Sequence, residues 1–242
     1  MLRRLIGYIG TSLGLFLTGF WGSAAMVSYL FVGPRGVRAC SRLWGRSLLW
    51  AGIVHVAVRG VDKLDLSEPY IYVSNHQSGL DILVLIGHLP QHPHFVAKAE
   101  LRKVPFIGFA LTYAGHIFID RSNKKAAIET LKAAGEEVRG GKSVAVFPEG
   151  TRFPARVLGP FKRGAFVLAR EAQVPIVPVG IVGSAERMAA RKIYTVPGVV
   201  GLRIGEPIPP EDFPEDDEEL AAMVREEVRK LAGPSASRAL TD

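Results

Sequence analysis

The alternation of apolar and polar positions divides the chain into two unlike parts. Residues 5–32 contain no charged side chain. As a helix rising 1.5 Å per residue this run is about 40 Å long, enough to cross a hydrocarbon core of about 30 Å. It is longer than the apolar region of a signal peptide, and no clear cleavage site precedes further hydrophobic sequence. A second helix is expected over residues 37–52. Arg38, Arg42 and Arg46 fall there within an arc of about 80°, while Leu43, Trp44, Leu48 and Trp50 lie mostly elsewhere, an interfacial pattern. Residues 1–52 therefore read as a membrane-associated helical hairpin, with Gly10 and Gly14 spaced for close helix packing. Arg3 and Arg4 precede the uncharged run and Arg35, Arg38, Arg42 and Arg46 follow it, which places both of its ends on the cytosolic side. The run either crosses the bilayer or dips into one leaflet. A buried hairpin of a soluble protein fits so long an uncharged run, flanked by Arg and Trp, less well.

From residue 53 the period changes. Val54, Val56 and Val58 alternate with His55, Ala57 and Arg59, as in a strand. Further strand-like runs lie at residues 70–74, 95–98, 116–119, 143–147 and 202–204. Helical patterns separate them: 80–89, a segment through Phe106 to Tyr113, a helix capped by Ser122 and stopped at Gly140 and Gly141, then one opened by Phe161-Lys162-Arg163-Gly164 and running to about Ala172, and 220–231. This rhythm predicts an α/β domain over residues 53–232, a largely parallel mixed sheet flanked by helices, with residues 233–242 as a loose tail. Val174, Pro175, Ile176, Val177 and Pro178 form an apolar stretch whose prolines predict an edge strand or an irregular wall. Two roles fit it: ordinary core, or the lining for an apolar chain.

Composition narrows the partners. The 242 residues carry a net charge of +7, which suits anionic membrane surfaces, phosphorylated substrates or nucleic acid. The basic residues cluster beside lipid-seeking sequence and no nucleic-acid module is recognisable, so no specific nucleic-acid partner is expected. Cys40 is the one cysteine, which excludes a disulfide framework and fits a reducing, cytosol-facing location. His88, His92 and His94 surround Pro90 and Pro93 with no spacing of a zinc site, and are expected in solvent.

The chemistry concentrates at residues 75–81. His76 and Asp81 are five apart, too far to share a helix face, so a turn must lie between them. Asp81 then sits in the first turn of the following helix, where the dipole favours its ionised form. A loop imidazole folded back onto that carboxylate is an oriented general base. In a parallel sheet ligands sit beyond the carboxyl ends of the strands. His76 with Asp81, Lys98, Arg121, and Glu149 with Arg152 each follow a predicted strand. One rim then carries a base and three cations, a setting for an anionic group, most simply a phosphate, beside a proton acceptor.

Four ordered blocks carry a family resemblance: NHQSGLD at 75–81, GHIFIDR at 115–121, FPEGTR at 147–152 and VPIVPV at 174–179. Over residues 54–207 the chain resembles the glycerolipid acyltransferases, in particular the 1-acylglycerol-3-phosphate acyltransferases. The resemblance implies transfer of an acyl group from acyl-CoA or acyl carrier protein to lysophosphatidic acid, giving phosphatidic acid, with no metal or other cofactor. It implies that His76 and Asp81 are the catalytic dyad. Arg121 and the loop of Glu149, Gly150, Thr151 and Arg152 would bind the glycerol phosphate, and Lys98 would assist. Such an enzyme would sit at a membrane, the inner membrane of the cell, with its site facing the cytoplasm. Other lysophospholipids, glycerol 3-phosphate or an aminolipid are alternative acceptors. A non-catalytic membrane lipid-binding protein is the reading from another class, against which the intact dyad argues. The acceptor hydroxyl can attack directly once deprotonated, so neither Ser78 nor Cys40 is required as a nucleophile.

Overall fold

The computed structural model describes residues 2–120, 122–189, 192 and 194–233. Strands β1 (Val54–Arg59), β2 (Ile71–Ser74), β3 (His94–Lys98), β4 (Ile117–Ile119), β5 (Val144–Val146), β6 (Ile176–Val182) and β7 (Gly198–Ile204) form one sheet in the order β1-β7-β6-β2-β5-β3-β4. Every pair is parallel except β6 with β7. The expected α/β architecture with a largely parallel mixed sheet is therefore the observed one. β2, β5, β3 and β4 are consecutive parallel neighbours, so their carboxyl ends share one edge of the sheet.

Period-two alternation sends side chains to two helical layers. Tyr72, Val177, Val179 and Leu202 meet Leu80, Val84 and Leu85 of α3 (Leu80–His88) on one face. Ile71, Val73, Val144 and Ile176 meet α5 (Lys124–Arg139), α6 (Gly164–Ala172) and α8 (Asp217–Ala232) on the other. β2 and β6 are buried throughout, which explains their unbroken apolar runs. α4 (Ile107–Tyr113) and the short α7 (Ser184–Arg187) complete the domain.

β6 is an interior strand, not the edge strand its prolines predict. Pro178 is tolerated because it stands where the ladder to β7 ends: pairing begins at Val179 opposite Ile204, and the Pro178 carbonyl accepts from Gly205 N at 2.8 Å. The missing N–H thus breaks no ladder bond. A second departure is at the start of α5. Asn123 caps it by accepting from Ala126 N, while the Ser122 hydroxyl donates to Asp120 Oδ1.

α1 (Leu2–Val32) and α2 (Pro34–Ala51) form the expected hairpin, turning at Gly33. Trp21 Nε1 donates to Ser47 Oγ, and Trp44 Nε1 to Thr18 Oγ1, both at 3.0 Å. Gly10 permits the contact: a methyl group there would lie 2.7 Å from the Ala51 carbonyl oxygen. α2 also packs on the domain. At Gly45 a methyl group would meet the Ile86 side chain at 2.6 Å, so glycine lets α2 and α3 approach. The outer face stays uncovered, with Phe16 68%, Leu30 78% and Phe31 82% exposed.

Two of the arginines of α2, Arg42 and Arg46, differ from expectation. Arg42 Nη2 donates to Pro90 O at 3.1 Å and Arg46 Nε to Gly87 O at 2.7 Å. They face the end of α3, whose last carbonyls lack helical partners and carry the negative end of the dipole. His92 and His94 are likewise not solvated loop residues. Together with His116 they form a cluster with ring centroids 6.0 to 6.2 Å apart. Burial, followed by the neighbouring imidazoles, pushes His92 down to about 2 and His116 down to about 3. Burial also lowers His94.

Candidate active site

β2 ends at Ser74, and the amide of the next residue, Asn75, is paired in both directions with the backbone of Ile181: Nδ2 donates to the carbonyl at 2.9 Å, and Oδ1 accepts from the N–H at 2.8 Å. This clamp fixes where the chain leaves the sheet. The turn that follows brings His76 back over α3, so that Asp81 Oδ2 accepts from His76 Nδ1 at 2.9 Å. The same oxygen accepts from Gln77 N at 2.7 Å and Ser78 N at 2.8 Å. The turn that precedes α3 thus supplies every donor to one oxygen of this carboxylate, while Oδ1 is buried with no hydrogen-bond partner among the described residues. Asp81 is fully buried and the His76 side chain is 14% exposed. With a carboxylate as its partner, Nδ1 is assigned the proton, which leaves the Nε2 lone pair as the acceptor. The imidazole stacks on Phe147 at 4.1 Å between centroids, which holds the ring plane. Ser78 is turned away: its hydroxyl donates to Met188 O at 2.7 Å and accepts from Leu80 N at 3.2 Å.

Glu149 faces inward. Its Oε1 accepts from His76 N at 2.7 Å and its Oε2 from Gly159 N at 2.8 Å. Burial raises its carboxyl above the usual range, and the two N–H donors oppose that rise. Both oxygens are therefore occupied by backbone, and Glu149 stands behind His76 rather than among the cations. Phe153 N donates to His76 O at 2.9 Å, so the loop after β5 grips the histidine on both sides.

His76 opens onto a cavity of about 530 Å³, within the size range of small-molecule sites. Lys98, Gly150, Thr151 and Arg152 line it with His76, so the structure gathers these expected residues in one place. A methyl group at Gly79 would lie 3.7 Å from an Arg152 guanidinium nitrogen, which places that side chain at the start of α3. Lys98 Nζ is 2.7 Å from Glu100 Oε1 and half-exposed. Arg121 lies outside the described residues. Trp21, Ala25 and Trp44 of the hairpin and Ala110 and Leu111 of α4 and its surroundings make much of the remaining wall. Val174, Pro175, Ile176, Val177 and Pro178 are not on it: they belong to the β6 region of the core.

Sequence reasoning did not single out Lys162, whose Nζ would lie 2.9 Å from a methyl group placed on Gly150. The pair Lys162-Arg163 at a helix start was its only signal. Nor did it single out Arg225, which holds the far end of the same loop, donating to Leu158 O at 2.7 Å and Gly159 O at 2.9 Å.

Residues 55–182, over half of the chain, match the family model described as Acyltransferase. The 1-acyl-sn-glycerol-3-phosphate acyltransferase alpha of Ovis aries is 40% identical over 178 residues, 71% of this chain and 61% of that protein. The 1-acyl-sn-glycerol-3-phosphate acyltransferase of Saccharomyces cerevisiae is 38% identical over 177 residues, 72% of this chain and 58% of that protein. The chain spans about two fifths to three fifths of the length of these and other curated relatives. The crystal structure of the 1-acyl-sn-glycerophosphate acyltransferase PlsC from Thermotoga maritima superposes with a TM-score of 0.83 at 27% identity, covering 99% of this chain and 98% of that one. On the extent of the match to the family model, this chain belongs to the acyltransferase family.

Proposed function

We propose that this protein transfers a fatty acyl group from acyl-CoA or acyl carrier protein to the sn-2 hydroxyl of 1-acyl-glycerol 3-phosphate, giving phosphatidic acid. The observation that carries the reading is the His76–Asp81 pair opening onto a largely apolar cavity beside Lys98 and Arg152. His76 Nε2 takes the proton of the acceptor hydroxyl as its oxygen bonds to the thioester carbonyl carbon. Asp81 holds the tautomer and stabilises the imidazolium that results. The tetrahedral intermediate collapses by breaking the C–S bond, and the imidazolium returns its proton to the leaving thiolate. Arg152 and Lys98, with the loop at Gly150 and Thr151, bind the acceptor phosphate, Arg121 adding a further cation. The acyl chain takes the apolar part of the cavity, between the hairpin and α4.

The same reading places the enzyme on a membrane, at the cytoplasmic face of the inner membrane. Residues 8–32 of α1 are long and apolar enough to cross a bilayer, and 11% of that span is buried within the protein. Because α2 buries Val37, Ser41, Gly45 and Leu49, the hairpin offers lipid its outer face only, which favours insertion into one leaflet. Its partners are then the bilayer, lysophosphatidic acid and the acyl donor.

The test is radiolabelled acyl transfer from palmitoyl-CoA to lysophosphatidic acid in detergent micelles, with wild type, His76→Ala and Arg152→Ala side by side. Product from wild type alone among wild type and His76→Ala, with a raised acceptor KM in Arg152→Ala, is the expected result. A folded wild type inactive on this and other lysolipid acceptors, with either donor, overturns it.

A further inference from the structure

The loop after β5 carries Arg152 and is tied at both ends. At its start Glu149 accepts from His76 N, and at its end Gly159 donates its N–H to the other oxygen of the same carboxylate. Gly159 is used twice, since its carbonyl accepts from Arg225 Nε at 2.9 Å while Arg225 Nη2 reaches Leu158 O at 2.7 Å. Gly159 also has no room for a side chain, as a methyl group there would fall 2.3 Å from the Phe153 ring. A single path of hydrogen bonds therefore runs from α8 through one peptide unit and one buried carboxylate to the backbone of the histidine. Gln77 Nε2, which donates to Val157 O at 3.2 Å, ties the middle of the loop to the same turn.

Arg225 lies beyond residues 55–182, on a helix that touches none of the cavity-lining residues named above through these bonds. Its planar fork presents two nitrogens in fixed geometry to two adjacent carbonyls, which the single nitrogen of a lysine on its flexible stem does not reproduce. α8 is anchored independently: Asp216 caps it, and Asp217 Oδ1 accepts from Arg170 Nε at 2.7 Å on α6.

We infer that Arg225 is a positioning residue of the transfer reaction, acting through the Leu158–Gly159 carbonyls and Glu149 to hold His76 and Arg152 in one geometry. The inference rests on the proposed acyl transfer for its kinetic consequences, but the strap itself is testable without turnover. In purified full-length protein, Arg225→Met is expected to lower kcat/KM for lysophosphatidic acid by about 10- to 100-fold, since a displacement of about 1 Å at a reacting group carries a penalty of that order. Arg225→Lys, which keeps the charge but donates from a single nitrogen in place of two, restores part of it. Arg225→Met combined with Glu149→Gln loses less than the product of the two single losses, because both act on one path. Hydrogen exchange rises in the peptide spanning 148–160 in Arg225→Met and stays at the wild-type level over β2 and β6. Multiplicative losses, wild-type kinetics, or unchanged exchange at 148–160 would overturn the strap. Should Arg225→Met fail to fold, Arg225→Lys supplies the same comparisons. A wild type that transfers no acyl group defeats the proposed function, and the exchange result then decides the strap by itself.

Discussion

Nδ1 of His76 stands 2.9 Å from Oδ2 of Asp81, an oxygen that also receives the N–H groups of Gln77 and Ser78. Replacing Asp81 by Asn removes the negative charge that stabilises an imidazolium and puts an amide donor within reach of the three N–H groups. Asp81→Asn is therefore expected to lower kcat by about 10²- to 10⁴-fold with little change in acceptor KM, and His76→Ala to reach the background rate. Steady-state kinetics on both substrates decide this; a histidine variant that turns over normally would refute the base assignment.

The Ser78 hydroxyl is engaged with Met188 O and Leu80 N. Ser78→Ala should keep near-normal turnover and lose about 1 kcal/mol of stability, the usual contribution of a helix-start hydroxyl. A melting curve and an activity assay on one sample check both halves, and total inactivity in a stable variant would point to an acyl-serine route instead.

Arg152 lines the cavity at the start of α3. If its guanidinium binds phosphate in ground and transition states alike, Arg152→Ala raises acceptor KM by about 10- to 100-fold while kcat changes much less, since a charged hydrogen bond contributes about 1.5–3 kcal/mol. A fall in kcat at unchanged KM would assign the residue to the transition state alone.

Ala110 of α4 lines the apolar part of the cavity. Ala110→Leu shortens the space for the acyl chain, and each methylene left outside forgoes about 0.8 kcal/mol. The ratio of rates on long and short acyl-CoA donors should shift toward the short donor. An unchanged profile would place the chain elsewhere.

Three buried imidazoles set a pH dependence. In the unfolded chain they titrate near 6.5, whereas folding holds His92 down to about 2 and His116 down to about 3. The unfolded state therefore binds more protons below pH of about 6.5, and stability is full above that value and declines as pH falls. Thermal melting at pH 7, 6 and 5 should show Tm dropping, with a shallower slope in His92→Gln. Equal slopes in the two proteins would contradict the buried neutral assignment.

The parts that could be read along the chain are those whose partners are near in sequence. His76 and Asp81 are separated by one turn, and the strand ends carrying Lys98 and Glu149 were marked by periodicity. Contacts between distant segments were not legible. Nothing near Pro178 tells that β7 begins its pairing one residue later, so an interior strand looked like an edge. His92 and His94 are buried because β3 and β4 bring His116 against them, a consequence of packing rather than of local pattern. Arg42 and Arg46 have the spacing of a lipid-facing row, yet the end of α3 claims them. Glu149 matched a block expected to hold phosphate, and only the placement of Gly159 reveals that its carboxylate is spent on backbone.

Trp21, Ala25 and Trp44 belong to the hairpin and at the same time to the cavity that His76 opens onto. Hairpin and cavity are consequently one inheritance: a version trimmed of residues 1–52 would surrender part of the wall that faces His76. Under the proposed acyl transfer, grafting the first two helices of one relative onto the α/β domain of another should accordingly carry over part of the acyl-chain preference.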